Sequence, residues 1–183
     1  YLVFWCIDQH RQLSFFFGLP VWVITLHWLC AGFFIFYDIT RRPTFLAKYK
    51  VQQDKNEKID AAQWRSLATT VLFNQLVVLP SSMIVSYCFL KFTNDLNFID
   101  FKIIPSFWRM FYKFTLCMMI YEVSFFYLHW MLHHPLIYKQ VHKKHHRFTA
   151  PIALADLYQT PVEYFLLSIV PPSLAVFLTR CDL

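Results

Sequence analysis

Apolar residues in this chain are gathered in four long runs, separated by polar and charged segments. The runs extend from Phe15 to Tyr37, Ala68 to Leu90, Phe107 to Leu128 and Ile152 to Leu178. Roughly 20 consecutive apolar residues suffice for a helix to cross the hydrocarbon core of a bilayer. The first two runs therefore predict membrane helices, and the third predicts a less pure one. The fourth predicts an interfacial or re-entrant element, because three prolines would interrupt its helical hydrogen bonds.

The composition agrees with a chain whose solvent is partly lipid. Hydrophobic residues make up 57% of the 183 residues and charged residues 15%, whereas soluble domains carry about 25% charged residues. This composition excludes a disordered or collagen-like chain. The alternative is a soluble all-helical core with basic loops. We disfavour it because the run from Phe15 to Tyr37 has no formally charged residue, and so long an uncharged run is costly to hide in a small soluble domain.

The charged residues indicate how the helices are oriented. Seven Lys and Arg residues lie between Asp38 and Leu67, and four lie between Pro135 and Ala150; the segment from Lys91 to Ser106 has two, balanced by two Asp residues. The positive-inside rule places the first two of these segments in the cytosol. The net charge of +6 is divided among loops rather than gathered on one face, so nucleic-acid binding is not predicted. The predicted fold is all-α: a single domain over residues 1–183, forming an integral membrane bundle of about three to four membrane helices with a cytosolic, histidine-rich metal site.

Six of the eight histidines fall within 18 residues: His129, His133, His134, His142, His145 and His146. Residues four apart on a helix project from one face, which applies to the first two and to the pair His142 and His146. A turn near Pro135 could bring two such helical clusters together. Imidazole binds Fe, Zn, Cu and Ni, and six rings exceed one tetrahedral site, so the cluster predicts two metal ions.

Several histidines and one carboxyl group leave alternatives open. The whole cluster could instead be a pH-sensitive basic patch that touches lipid headgroups. His134 is the weakest candidate ligand, since it stands about 100° around a helix from His133. Glu122 precedes His129 by seven residues, so it could bind metal or orient a ligand histidine, or it could only hydrogen-bond a neighbouring helix. Interhelical hydrogen bonds are the predicted role of three further polar residues in the apolar runs: His27, Asn74 and Gln75.

Three short segments around the histidines carry a recognisable pattern. Tyr127 to His134 reads YLHWMLHH, Tyr138 to His146 reads YKQVHKKHH, and Thr149 to Ile152 reads TAPI. The pattern resembles the fatty acid hydroxylase and sterol desaturase superfamily, and within it the C-4 methylsterol oxidases and the fatty acid hydroxylase domain-containing proteins. The family's first histidine box, HxxxH, matches His129 and His133. Its second box, HxxHH, matches His142, His145 and His146. Later family positions match Ala150, Pro151, Tyr158, Pro161 and Glu163.

The resemblance implies an activity and a cellular location. It implies a non-haem di-iron centre, held by the six histidines, in the endoplasmic reticulum membrane and facing the cytosol. Zinc could occupy the same imidazoles. The implied reaction is O2-dependent oxidation of a lipid C–H bond with electrons from NAD(P)H, delivered through cytochrome b5 or a reductase. A C-4 methylsterol is the favoured substrate. The alternatives are a fatty-acyl or sphingolipid hydroxylase, an acyl desaturase, or an inactive lipid-binding homologue.

This chain departs from the family pattern at several positions. Trp130 stands where Arg is usual, Thr160 where His is frequent and Phe126 where His is often found. A third box of the HxxHH kind is expected further along the chain, and no histidine follows His146. We therefore expect this chain to be a piece of a longer protein that is active only as a whole.

Overall fold

The structure is a computed structural model that describes residues 2–50, 52, 55, 59–92, 106–150 and 152–179, with side chains described at residue 18 and from residue 20 onward. Every regular element in these ranges is a helix, so the all-α prediction is confirmed. The α-helices are α1 Leu2–Thr40, α2 Ala61–Phe73, α3 Leu79–Phe92, α4 Phe107–Leu132, α5 Pro135–Val141, α6 Pro161–Tyr164 and α7 Val170–Thr179. Short 3₁₀ helices span Thr44–Tyr49 and His145–Arg147, and π-helical turns span Asn74–Val78 and Phe165–Ile169.

Four helical segments of the described chain are long and apolar enough to cross a membrane: Pro20–Thr40, Ala61–Phe92, Phe107–Leu132 and Pro161–Thr179. Their apolar side chains face outward, and only 6% of the most apolar window of α4 is buried within the protein. Phe111 and Phe114 are each more than half exposed. Surfaces of this kind would be costly in water, whereas lipid solvates them. The predicted membrane bundle is therefore confirmed by the length and the outward apolar faces of its helices.

The prolines of the fourth apolar run do not break its helix, which corrects the expected interfacial or re-entrant element. One continuous helical segment of 19 residues occupies most of the run. Pro161 is the first helical residue, where a missing N–H costs nothing because no partner exists for it. A π-helical turn, Phe165–Ile169, comes just before the α7 prolines Pro171 and Pro172. Only the residues before Pro161 form a loop.

Local sequence signals fix where the helices begin. Asp60 and Gln63 form a reciprocal capping box at the start of α2: the Asp60 carboxylate accepts from the Gln63 N–H at 2.7 Å, and the Gln63 side-chain oxygen accepts from the Asp60 N–H at 3.0 Å. The Ser106 hydroxyl accepts from the backbone of Arg109 at the start of α4. Each cap satisfies an N–H that the first helical turn leaves unpaired.

The small core joins α1 and α2 to the loop that follows the histidines. Its buried residues are Ala31, Leu67, Val71, Leu154 and Tyr158. The Tyr158 hydroxyl also lies 2.8 Å from the hydroxyl of Ser66 on α2. These contacts hold residues 152–160 against α1 and α2, which determines where α6 begins in the bundle.

Polar groups inside the bundle connect its helices. The indole N–H of Trp28 on α1 donates to the Gln75 side-chain oxygen at 2.7 Å, and the Asn74 amide donates to the Gln159 carbonyl at 3.0 Å. The predicted interhelical hydrogen bond of Gln75 is therefore confirmed, whereas Asn74 bonds the loop that precedes α6. Among the described residues, the buried Nε2 of His27 has no hydrogen-bond partner.

Candidate metal centre

Four histidines converge at the ends of α4 and α5. His129, His133, His142 and His146 each offer one ring nitrogen, and these nitrogens all lie within 4.8 Å of one another. His142 is completely buried. The His142 Nε2 lies 3.1 Å from the His133 Nε2 and 2.8 Å from the His146 Nε2. The structure thus brings together two members of each predicted histidine box.

A tight reversal of the chain produces this convergence. Helix α4 ends at Leu132, with His133 as its C-cap. His134 has an extended backbone and caps α5, and its Nδ1 accepts from the Leu136 N–H at 3.4 Å. Pro135 takes the first helical position, which its ring favours. His134 is exposed and lies outside the group of four, and its role as a ligand stays a prediction.

The second histidine box does not lie on one α-helix, which corrects the expected pair of helical clusters. Helix α5 ends at Val141, and a 3₁₀ helix begins at His145. The Lys143 N–H donates to the carbonyl of Tyr138, five residues earlier, at 2.8 Å, a bond that closes a helix. The resulting turn leaves His142 and His146 within reach of each other even though no regular helix joins them.

A buried carboxyl group holds the central imidazole. The Glu163 Oε1 lies 2.7 Å from the His142 Nδ1, and both side chains are completely buried. An ionised carboxylate can only accept a hydrogen bond, so His142 then carries its proton on Nδ1 and has a lone pair on Nε2. This arrangement is the one by which carboxylates orient metal-binding histidines in proteins.

The donor set fits a transition-metal ion. The lone pair on the His142 Nε2 faces two other ring nitrogens, yet one lone pair accepts only one well-directed hydrogen bond. A metal ion among the four rings would accept a lone pair from each. Nitrogens bound at about 2.0–2.1 Å can be at most about 4.2 Å apart, so a spread of up to 4.8 Å requires only a small contraction.

The imidazoles are held in the form that binds metal. Burial, together with the neighbouring imidazoles, lowers the pKa of His142 from the ordinary 6.5 to about 3. Burial also lowers the pKa of His145 and of His146, and a nearby imidazole adds to the effect in each. These rings are therefore neutral at pH 7, and a neutral imidazole offers the lone pair that a metal needs.

His145 lies beside the group of four rather than in it. Its ring centroid is 5.2 Å from that of His146 and 6.2 Å from that of His129. One side of the ring hydrogen-bonds the backbone of Ala155. Among the described residues, the buried Nδ1 atoms of His129 and His145 both lack a hydrogen-bond partner. These two nitrogens are available to a metal ion, and the role of His145 as a ligand stays a prediction.

The carboxyl group beside the imidazoles is Glu163 and not Glu122. Glu122 is exposed on α4, about 10 Å along the helix axis from His129, and its role stays a prediction. Sequence reasoning gave Glu163 no function beyond its match to the family pattern. One signal could have found it: it is the only charged residue between Leu157 and Thr179, and an ionisable group in an apolar span indicates function by default.

Comparison with known proteins finds relatives that match most of this chain. Residues 114–183 match the sequence model of the family described as Fatty acid hydroxylase. The chain is 34% identical over 178 residues to "Fatty acid hydroxylase domain-containing protein 2" of Macaca fascicularis, a match that covers 92% of this chain and 52% of that protein. It is 34% identical to "Fatty acid hydroxylase ahd1" of Mycosarcoma maydis, covering 88% of this chain and 42% of that protein. It is 31% identical to "Methylsterol monooxygenase 1" of Rattus norvegicus, covering 86% of this chain and 47% of that protein.

The chain spans about half the length of the curated relatives that it matches. No solved structure matches it. The resemblance found in the histidine boxes is thus confirmed, and the matches to these relatives cover most of the chain.

Proposed function

We propose that this chain, whose residues 114–183 match the sequence model described as Fatty acid hydroxylase, provides the metal-binding part of a membrane-bound non-haem di-iron oxygenase that oxidises a C–H bond of a lipid. The observation that carries the proposal is the convergence of four histidines, one of them bonded to a buried carboxyl group. The site lies at the end of α4, a helix long and apolar enough to cross a membrane. A lipid substrate can therefore reach it from the bilayer.

The proposed reaction consumes O2 and reducing equivalents. A lipid C–H group, O2, two electrons and two protons give a lipid C–OH group and water. NAD(P)H supplies the electrons through cytochrome b5 or a reductase. Iron ions bound at the histidines supply the O2-activating redox chemistry when present.

The chain's own residues bind and orient. His129, His133, His142 and His146 each present a ring nitrogen at one point and would hold one metal ion there. A second ion would need further ligands, for which we propose His145 and histidines elsewhere in the longer protein. Glu163 fixes the His142 ring by accepting from its Nδ1–H, which keeps the Nε2 lone pair directed at the other imidazoles.

We favour a methylsterol as the substrate and the endoplasmic reticulum membrane as the location, with the histidine boxes facing the cytosol. The similarity to a methylsterol monooxygenase supports the substrate. The orientation is supported by the two basic segments, one before the second apolar run and one after the third, which the positive-inside rule places on the same, cytosolic side. The similarity to proteins named as fatty acid hydroxylases supports the alternative, a fatty-acyl or sphingolipid substrate.

A second candidate function is an inactive homologue that binds lipid without oxidising it. Thr160 favours it, because the family often has a histidine there, whereas this threonine makes only hydrogen bonds that hold neighbouring segments of the backbone together. Its hydroxyl donates to the Val141 carbonyl at 2.9 Å and accepts from the Glu163 N–H at 3.3 Å. It therefore connects the end of α5 to the start of α6.

One experiment separates the two functions. The full-length protein is purified from iron-replete cells, and its iron content and NAD(P)H-dependent turnover are measured with a methylsterol, a fatty acid and a ceramide. The oxygenase proposal predicts bound iron and turnover of one lipid class, with both lost in His142→Ala. Bound lipid without iron or turnover would support the inactive homologue and refute the oxygenase.

A further inference from the structure

A small polar cavity of about 220 Å³ lies between α2, the second histidine box and the start of α6. Thr70 lines it from α2, Asn74 from the turn that continues α2, Lys144 from the box and Pro161 from α6. None of the candidate ligand histidines is among its described lining residues. The volume is below the roughly 300–1,000 Å³ of sites that enclose a whole small ligand, so the cavity suits a single polar group such as a lipid headgroup.

The cavity lies where two helices enter the membrane. The second apolar run begins at Ala68, one residue before the first lining residue of α2. Pro161 is the first residue of the last segment that is long and apolar enough to cross a membrane. Phe73 also lines the cavity, and its ring is half exposed on the surface of α2. Lipid headgroups lie at this boundary between the polar and hydrocarbon layers, so a headgroup can reach the cavity from the bilayer.

Hydrogen-bond donors come from Lys144 and Thr70. The Lys144 Nζ donates to the Thr70 hydroxyl at 2.8 Å and lies 4.7 Å from the centre of the Tyr158 ring. An ammonium group has three N–H donors, so Lys144 can donate to a ligand as well. The Thr70 oxygen accepts from Lys144, which directs its own O–H elsewhere. Arg147 donates to the Tyr158 hydroxyl at 3.4 Å and brings a second positive charge to the same ring.

Asn74 supplies an acceptor that the described residues leave unpaired. Its side chain is completely buried, and its Nδ2 donates to the Gln159 carbonyl at 3.0 Å. A carbonyl group only accepts, so this bond fixes which end of the amide is nitrogen and which is oxygen. Among the described residues, the Asn74 Oδ1 has no hydrogen-bond partner. A buried acceptor without a partner is unfavourable, so a ligand that donates to this oxygen gains affinity.

The lining favours an anion that also carries a hydroxyl group. Lys144 is the only charged residue among the described lining residues, and a phosphate can accept charge-assisted hydrogen bonds from it. An ammonium group on the ligand could donate to Asn74, but it would lie close to Lys144 with no carboxylate among these residues. A hydroxyl group donates without adding charge. Thr70 and Asn74 are four residues apart, about 5–6 Å between Cβ atoms, so one headgroup can contact both.

We propose that this cavity binds the headgroup of an anionic, hydroxyl-bearing membrane phospholipid of the phosphatidylglycerol or phosphatidylinositol kind. The phosphate accepts from Lys144 and Thr70, a headgroup hydroxyl donates to the Asn74 Oδ1, and the acyl chains pass Phe73 into the bilayer. Because Lys144 belongs to the second histidine box, the bound lipid would join that box to α2. This lipid is a resident ligand and not the substrate, and the proposal does not depend on the oxygenase function.

Lipid binding to the full-length protein in detergent tests the proposal by native mass spectrometry. Three lipids with identical acyl chains are compared: phosphatidylglycerol, phosphatidylmethanol and phosphatidylcholine. Phosphatidylmethanol has the same phosphate charge as phosphatidylglycerol but no hydroxyl group. We expect phosphatidylglycerol to bind about two- to tenfold more tightly than phosphatidylmethanol, as one neutral hydrogen bond would give, and phosphatidylcholine to bind most weakly. Equal affinity for phosphatidylglycerol and phosphatidylmethanol would overturn the proposal.

Two matched pairs of variants locate the binding. Thr70→Val should weaken phosphatidylglycerol binding about two- to tenfold. Thr69→Val should not, because Thr69 lines the same cavity but donates its hydroxyl to the Arg65 carbonyl. Lys144→Gln should weaken binding by about tenfold or more, as the loss of a charge-assisted bond implies. Lys139→Gln, on the exposed side of α5, should leave it unchanged. Equal losses within either pair would contradict the assignment to this cavity.

Glycerol phosphate distinguishes a lipid from a soluble phosphate ester. It carries the phosphate and the hydroxyl groups without acyl chains, so it should displace phosphatidylglycerol only at roughly a hundredfold higher concentration, since it buries no apolar chain. Displacement at equal concentration would identify a soluble ligand and overturn the lipid assignment. None of these measurements uses iron or turnover, so failure of the oxygenase function and failure of this proposal are separate results.

Discussion

Replacing Glu163 tests how the candidate metal centre is held together. Its carboxyl group is completely buried and lies 2.7 Å from the His142 Nδ1. Glu163→Ala removes the partner and leaves the Nδ1 of a buried ring unpaired. Glu163→Gln keeps an oxygen that can accept from Nδ1–H but cannot become negatively charged when the neighbouring imidazoles bind a metal ion. Both variants should still form α6, because the Thr160 cap bonds the backbone of residue 163 rather than its side chain.

The size of the effect follows from the burial of the pair. A hydrogen bond to a charged group contributes about 1.5–3 kcal/mol, and each 1.4 kcal/mol corresponds to a factor of about ten in affinity. Removing a group that orients a metal-bound histidine lowers metal affinity by about 10–100-fold. We expect Glu163→Ala to fall in this range and Glu163→Gln to lose about tenfold or less, since it retains an acceptor.

Metal affinity of the full-length variants is measured by competition with a chelator of known affinity, with iron read by mass spectrometry. Tyr164→Phe is the control, because it changes the next residue, which is also buried, without touching the His142 contact. Unchanged metal affinity in Glu163→Ala would refute the orienting role. A loss of equal size in Tyr164→Phe would show that any change to α6 disturbs the site.

Three further predictions concern the same region. In the full-length protein, His145→Ala should abolish turnover and lower bound iron, and unchanged values would contradict its role as a ligand. For metal-free protein, the His142 pKa of about 3 lies below its unfolded value of about 6.5, so the unfolded state binds more protons between these values. The free energy of unfolding should therefore fall as the pH drops from about 6.5 toward 3, by up to about 1.4 kcal/mol per pH unit. Thermal melts in detergent at a series of pH values measure this change, and a melting temperature that does not vary with pH would contradict it. The isolated 183 residues, supplied with a reductase and lipid, should show no turnover, and substantial product would refute the expectation that the longer protein is required.

The fold was predictable where the signal is local. A membrane helix is specified by its own apolar length, so the runs containing α1, α3 and α4 are visible without any knowledge of their neighbours. The fourth run was misread because three prolines argue against a helix by ordinary propensity. Pro161 is harmless as the first helical residue, and a π-helical turn precedes Pro171.

The candidate site was predictable only where its residues are close together in the sequence. His129 and His133 share a face because four residues make about one helical turn. The contact between His142 and Glu163 joins residues 21 apart, and no periodic pattern reports it. It depends on residues 152–160, which fold back because Leu154 and Tyr158 are buried against α1 and α2.

The metal content of the purified full-length protein tests the central claim most directly. Protein from iron-replete, reducing growth is analysed for metals, and X-ray absorption reads the atoms around any iron found. We predict two iron ions per chain in a shell rich in imidazole nitrogen, with both reduced in His142→Ala. Folded protein that contains no stoichiometric transition metal would contradict the account.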